Sequence, residues 1–182
     1  MNARSEAVEE AANPDESSAF EPVFEAYYER TARLIARLVK DPARAEELAV
    51  EVFWKLWRNP RAHGQAVGGW IYRTAVRAGL YELRRQARRG RLEQWLGLTG
   101  TPSTPEDVRA ANEAQEQVRR ILARLNPRDA ELLLLRNQDL SYSEIAAALR
   151  LNPNSVGTLL SRAQQAFRKE YQKLYGPKNT RP

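Results

Sequence analysis

The chain has 182 residues, 42% of them hydrophobic and 29% charged, with a formal net charge of +6, no cysteine and a single histidine, His63. That length holds one domain or two small ones. The lack of cysteine excludes disulfides, thiolate nucleophiles and cysteine-bound zinc; one histidine excludes a multi-histidine metal site; and no apolar run reaches the roughly 20 residues that cross a bilayer.

The charge is unevenly placed. Residues 1–20 carry five acids and one base, residues 61–91 carry eight arginines and one acid, Glu82, and residues 162–182 carry six bases and one acid, Glu170. Two separate basic blocks suit two contacts on one polyanion. The acidic N-terminal stretch lacks the apolar centre of a secretory leader, so the chain reads as cytoplasmic.

The periodicity is helical nearly throughout, with no strand alternation. Residues 1–17 read as a disordered acidic tail. The first helix carries an apolar stripe from Phe20 and Phe24 through Tyr27 and Leu34 to Leu38. Asp41-Pro42 is an N-cap followed by proline at the first helical position. The stripe Ala45, Leu48, Ala49, Val52, Phe53, Leu56, Trp57 follows, and the helix stops before Pro60. Residues 59–69 read as a glycine-bearing loop. A third helix is expected from about Trp70 to Arg88, with Ile71, Thr74, Ala75, Ala78 and Leu83 inward. Glycine and proline over 90–104 mark a linker. Thr104-Pro105 opens a fourth helix, with Val118, Ile121, Leu122 and Leu125 on one face. Asn126-Pro127 opens a fifth, and 173–182 read as a basic tail. The expected fold class is all-α: two small helical bundles, 18–89 and 105–172, joined by a flexible linker, the second containing a helix-turn-helix.

That helix-turn-helix spans Leu140 to Phe167. Ser141 and Glu144 form a capping box, in which each satisfies the other's orphan backbone donor. Ile145, Ala146 and Leu149 are its apolar face. Asn152-Pro153 starts a second helix that buries Val156, Leu159, Leu160, Ala163 and Phe167. Its other face offers Asn154, Ser155, Thr158, Ser161 and Arg162 to a major groove. An ordinary helical hairpin with a solvated face has the same spacing; the basic tail favours DNA.

Residues 70–91 interleave Arg73, Arg77, Arg84, Arg85, Arg88 and Arg89 with Trp70, Tyr72 and Tyr81. Arginines neutralise phosphates and aromatics stack on unpaired bases, a combination suited to a melted strand. Trp70 taken alone reads better as core. In the second helix Glu46, Glu47 and Glu51 stand opposite a stripe ending in Phe53 and Trp57. That arrangement is either a solvated face or a docking surface with aromatic anchors. His63 has no acid, nucleophile or metal partner in the pattern, so neither an enzyme nor a cofactor is expected.

These segments together resemble a bacterial RNA polymerase sigma factor of the extracytoplasmic-function (ECF) type. Arg44-Ala45-Glu46-Glu47-Leu48-Ala49-Val50-Glu51-Val52-Phe53 looks like the family's Asp-Ala-Glu-Asp-Leu-Val-Gln-Glu-Val-Phe signature. Trp70-Ile71-Tyr72-Arg73-Thr74-Ala75 and Leu83-Arg84-Arg85 are similar to its next motif. Leu125-Asn126-Pro127, Ser141-Tyr142-Ser143-Glu144-Ile145-Ala146 and Ser161-Arg162-Ala163 are similar to its C-terminal domain. The resemblance covers about residues 20–170. It implies a transcription initiation factor with no chemistry of its own. Glu46, Glu47, Val50, Glu51 and Trp57 would dock on core RNA polymerase. The loop holding His63, with Trp70, Arg73, Arg77, Arg84 and Arg85, would take the minus-10 promoter element. Asn154, Ser155, Thr158, Ser161 and Arg162 would read the minus-35 element. An anti-sigma protein is the implied regulator. The chain departs from the family's usual residues at Val50, Arg77, Tyr81, Gly157 and Gln164. Two other readings stay open: a helix-turn-helix regulator that works without polymerase, and a degenerate sigma-like interaction protein.

Overall fold

The computed structural model describes residues 14–59, 62, 64, 66–95 and 106–177. Seven helices follow in order: α1 Pro14–Leu38, α2 Pro42–Trp57, α3 Val67–Trp95, α4 Glu106–Arg124, α5 Pro127–Arg136, α6 Tyr142–Leu149 and α7 Pro153–Tyr175. No strand occurs among the described residues. His63, residues 96–105 of the expected linker and most of the acidic tail lie outside them.

The boundaries follow from side-chain chemistry. Asp41 Oδ1 accepts from the Ala43 amide at 3.0 Å, and Pro42 supplies the first helical φ. Asn126 and Asn152 cap α5 and α7 in the same way, each before a proline. At α6 the Glu144 amide donates to Ser141 Oγ at 3.2 Å, and the Ser141 amide donates to Glu144 Oε2 at 2.7 Å. This closes the expected capping box on a helix of only eight residues. The turn out of α6 depends on Arg150, which is left-handed at φ 56°, and the Leu151 amide then reaches back to the Ala146 carbonyl at 2.8 Å.

Four helix ends differ from expectation. α1 begins at Pro14, inside the expected tail 1–17, and α7 continues to Tyr175, into the expected tail 173–182. α3 begins at Val67 rather than Trp70, so Gly68 and Gly69 are helical. At the far end it continues past Gly90 to Trp95, because Arg91, Leu92, Glu93 and Gln94 are adequate helix formers and one glycine costs only about 1 kcal/mol.

The first three helices pack around Leu34, Ile35, Leu48, Val52, Leu56, Ile71 and Val76, all buried. The second group packs around Ile121, Leu132, Leu135, Ile145 and Val156. Val118 was expected inward but is exposed, whereas Ile121, Leu122 and Leu125 of the same stripe are buried. The two groups are not separate. Their buried apolar side chains form one continuous cluster, with α3 lying against α4, α5 and α6. Glu82 is the acid buried within α3. It lies 3.6 Å from Arg44 and 3.6 Å from Arg85, and Gln86 donates to it at 3.3 Å. The contact with Arg44 ties α2 to α3.

Candidate nucleic-acid and partner interfaces

The polar face of α7 is built from the cap upward. Asn152 fixes the first turn by accepting from the Asn154 amide at 3.0 Å. Val156, Leu160 and Ala163 turn inward, which sets Asn154, Ser155, Thr158, Ser161 and Arg162 outward. All five are exposed, so the structure brings the predicted reading residues onto one face. Sequence reasoning missed two neighbours. The Tyr142 ring lies 3.4 Å from where a Cβ on Gly157 would sit, and the Arg136 guanidinium lies 5.7 Å from the centre of that ring. Tyr142 is half exposed at the edge of the face.

The arginine block of α3 divides. Arg85, Arg88 and Arg89 are exposed, as is Tyr81 at 66%. Three others turn to the C-terminal bundle. Arg73 Nη1 donates to the Ala148 carbonyl at 2.7 Å. Arg77 makes a two-pronged pair with Glu131, Nε to Oε1 and Nη2 to Oε2, both at 3.0 Å. Arg84 Nη2 donates to the Leu125 carbonyl at 3.2 Å. Burial, then Arg77 and Arg150 nearby, lower the Arg73 pKa, while Glu131 opposes the shift. Trp70 is half-buried against the core. Tyr72 is not a surface platform: it is buried, edge-on to Tyr27 at 5.8 Å, and burial raises its phenol pKa. Helical spacing alone cannot tell Tyr72 from Tyr81. The packing of α1 on α3 decides it.

The third surface lies between α1 and α2. Phe20, Phe24, Val50, Phe53, Trp54 and Trp57 line an open apolar groove. Val50 is 54% exposed and Trp54 59%. Trp57, the expected anchor, is half-buried, edge-on to Phe20 at 5.0 Å. Trp54 was missed because it falls off the apolar stripe, although an off-stripe tryptophan is itself a signal of a partner. Arg44 Nη1 gathers Glu47 at 2.8 Å and Glu51 at 3.2 Å, while Glu46 points to solvent. Hydrogen bonding to Glu47, the largest influence, raises the Arg44 pKa. Among the described residues no cluster of acids or histidine could hold a metal ion.

Comparison with known proteins follows this division. Sigma-70 region 2 matches residues 23–89, and sigma-70, region 4 matches residues 115–166. The chain is 27% identical over 156 residues to the ECF RNA polymerase sigma factor SigK of Mycolicibacterium vanbaalenii, covering 80% of this chain and 78% of that one. It is 28% identical over 160 residues to the RNA polymerase sigma factor YlaC of Bacillus subtilis, covering 84% and 92%. Its fold is similar to that of the sigma factor RpoE of Bartonella quintana, solved in complex with the anti-sigma factor NepR, with a TM-score of 0.52 at 16% identity over 84% of this chain and 96% of that one. Region 2 on the first three helices, region 4 on the helix-turn-helix bundle and relatives aligned across both show that the chain belongs to the sigma-70 family as an ECF-type sigma factor, a factor of transcription initiation.

Proposed function

We propose that three surfaces divide the work of initiation. The α1–α2 groove, which Val50, Trp54 and Trp57 help to line, docks on core RNA polymerase together with Glu46, Glu47 and Glu51 of α2. Trp70, Arg73, Arg77, Arg84 and Arg85 of α3, with His63 just before that helix in the sequence, take the minus-10 element. The α7 face takes the minus-35 element through Asn154, Ser155, Thr158, Ser161 and Arg162. The carrying observation is that α7 presents all five polar residues outward from a capped helix-turn-helix, on a chain whose other bundle exposes an aromatic groove. A regulator working without polymerase has no use for that groove.

Arginine contacts to phosphate supply a salt-dependent affinity, and base-edge contacts from α7 add selectivity. No step of bond chemistry falls to this chain; the family acts by lending recognition to the polymerase. Its place of work is then the cytoplasm, and no described helix is long and apolar enough to cross a membrane. An anti-sigma protein is the proposed regulator, as the Bartonella relative has one. The test is run-off transcription with purified core polymerase on a genomic fragment library, with and without the chain. The expected result is a set of new transcripts starting at a fixed distance from a shared two-part motif. Unchanged transcripts despite polymerase binding would overturn the reading.

A further inference from the structure

The last turns of α3 carry a stripe that no described helix covers. Between Leu83 and Trp95 the sequence holds five arginines and one acid, Glu93. At about 3.6 residues per turn, Tyr81, Arg85, Arg88, Leu92 and Trp95 fall within about 80° of one another round the helix. All five are exposed, Trp95 at 82% and Leu92 at 56%. At about 1.5 Å per residue they span about 21 Å along the axis. The match to sigma-70 region 2 ends at residue 89, so Leu92 and Trp95 lie on turns beyond it.

The composition of the stripe narrows its occupant. Large apolar side chains left together in water mark a partner. The spacing also fits a seam between two helices, but a second copy of α3 would set Arg85 and Arg88 against their own equivalents, and like charge opposes that pairing. Arg89 and Arg91 flank the stripe and are exposed too. Positive charge interleaved with aromatic rings complements one ligand chemistry, phosphates joined to flat unpaired bases. The guanidinium groups take phosphates, and Tyr81 and Trp95 each offer a ring face to a base. A paired duplex hides its base faces, so it would use the arginines and leave the rings idle.

We propose that Tyr81, Arg85, Arg88, Leu92 and Trp95 form a stacking track for an unpaired nucleic-acid strand, which extends the strand's path along α3 past its minus-10 contacts. The proposal rests on the assignment of α3 to a melted strand made above, and it adds residues and a different kind of selectivity. Every base has a ring face, so the track accepts any sequence. It steadies an opened strand by replacing base-on-base stacking lost on melting, and leaves the reading of sequence to other residues. Leu92, between Arg88 and Trp95 on the stripe, supplies an apolar floor.

The test uses the full chain and a fluorescein-labelled single strand of about 20 nucleotides and mixed sequence, long enough for an extended contact. The duplex of the same sequence is the comparison, and both are read by anisotropy across a salt series. Trp95→Ala should weaken strand binding at least about fivefold, the low end of base–aromatic stacking, and change duplex binding less than about twofold. Trp95→Phe keeps a ring and should stay within about threefold of wild type on the strand. Arg85→Gln/Arg88→Gln should make the single-strand salt slope shallower by about 1.4, two phosphates at about 0.7 each. The substituted side chains are exposed, so thermal melts should match wild type, which separates a lost contact from lost folding. Strand binding unchanged in both Trp95→Ala and the double arginine variant overturns the track. An equal loss on strand and duplex in Trp95→Ala overturns it too, because stacking acts on unpaired bases. So does a wild-type protein that binds no single strand, since these five residues are already exposed. A concentration-dependent dimer in sedimentation that Trp95→Ala abolishes would assign the stripe to a second copy instead. The run-off test above decides the wider assignment of α3 separately, so the track can fall while that assignment stands.

Discussion

Replacing Trp54 with alanine separates docking from folding. The side chain is 59% exposed and sits over the groove lined by Phe20, Phe24 and Val50. A tryptophan buries about 150–250 Å² when fully enclosed, so roughly 90–150 Å² is still available to a partner. At about 25 cal/mol per Å² that is about 2–4 kcal/mol, or a loss of core polymerase affinity of about 30-fold to several hundred-fold. The same exposure means that the free protein loses little: stability should change by no more than about 0.5 kcal/mol. The assay is a titration of labelled core polymerase beside a thermal melt of the free protein. Trp57→Ala is the contrasting variant. Its ring packs edge-on against Phe20 at 5.0 Å, so its loss should cost about 2 kcal/mol of stability. Core affinity for Trp54→Ala within about threefold of wild type, an effect below about 0.7 kcal/mol, would refute the groove as the docking surface.

Arg162→Ala should weaken minus-35 duplex binding by about 1–3 kcal/mol while polymerase affinity stays unchanged, as mobility-shift and polymerase titrations would show. Arg150→Gly should raise Tm by about 2–3 °C in calorimetry, because Arg150 holds φ 56° and glycine takes that region without a Cβ penalty. The Glu144 carboxyl is held below the usual carboxylate range by hydrogen bonds from the Ser141 hydroxyl and amide. A lowered folded-state pKa stabilises above the unfolded value, about 4.3, and that support is lost as pH falls. The Tm difference between wild type and Glu144→Gln should therefore be present at pH 7, begin to shrink as pH falls past about 4.3, and vanish below the lower folded-state pKa. Glu82→Ala should destabilise by only about 1 kcal/mol in urea unfolding, since Arg44 and Arg85 are partly exposed and Arg44 keeps Glu47 and Glu51.

Local chemistry made much of the fold legible. Asp41, Asn126, Ser141 and Asn152 each announce a helix start through a side chain that has few other uses before proline or a capping glutamate. The α7 face was legible for a related reason: its apolar residues recur at helical spacing, so the remainder must point out. What escaped was decided by distant packing. Tyr72 and Tyr81 have the same chemistry on one helix, yet α1 covers only the first. Trp54 and Trp57 are three residues apart, and the position of Phe20 settles which one stays outside. The pairing of Arg77 with Glu131 joins residues 54 apart in sequence, and no local pattern signals it.

The continuation of α3 to Trp95 limits how far apart the two bundles can be. A helix of 29 residues is about 43 Å long, and it leaves fewer residues to reach α4. From Trp95 to Glu106 about eleven residue steps remain, which span at most roughly 40 Å even when fully extended. Once one bundle is seated on a promoter, the covalent link keeps the other within that distance, so two modest contacts act together. It also bounds the tolerated spacing between the two promoter elements. Inserting base pairs there beyond what that covalent distance spans should make activity fall steeply with spacer length.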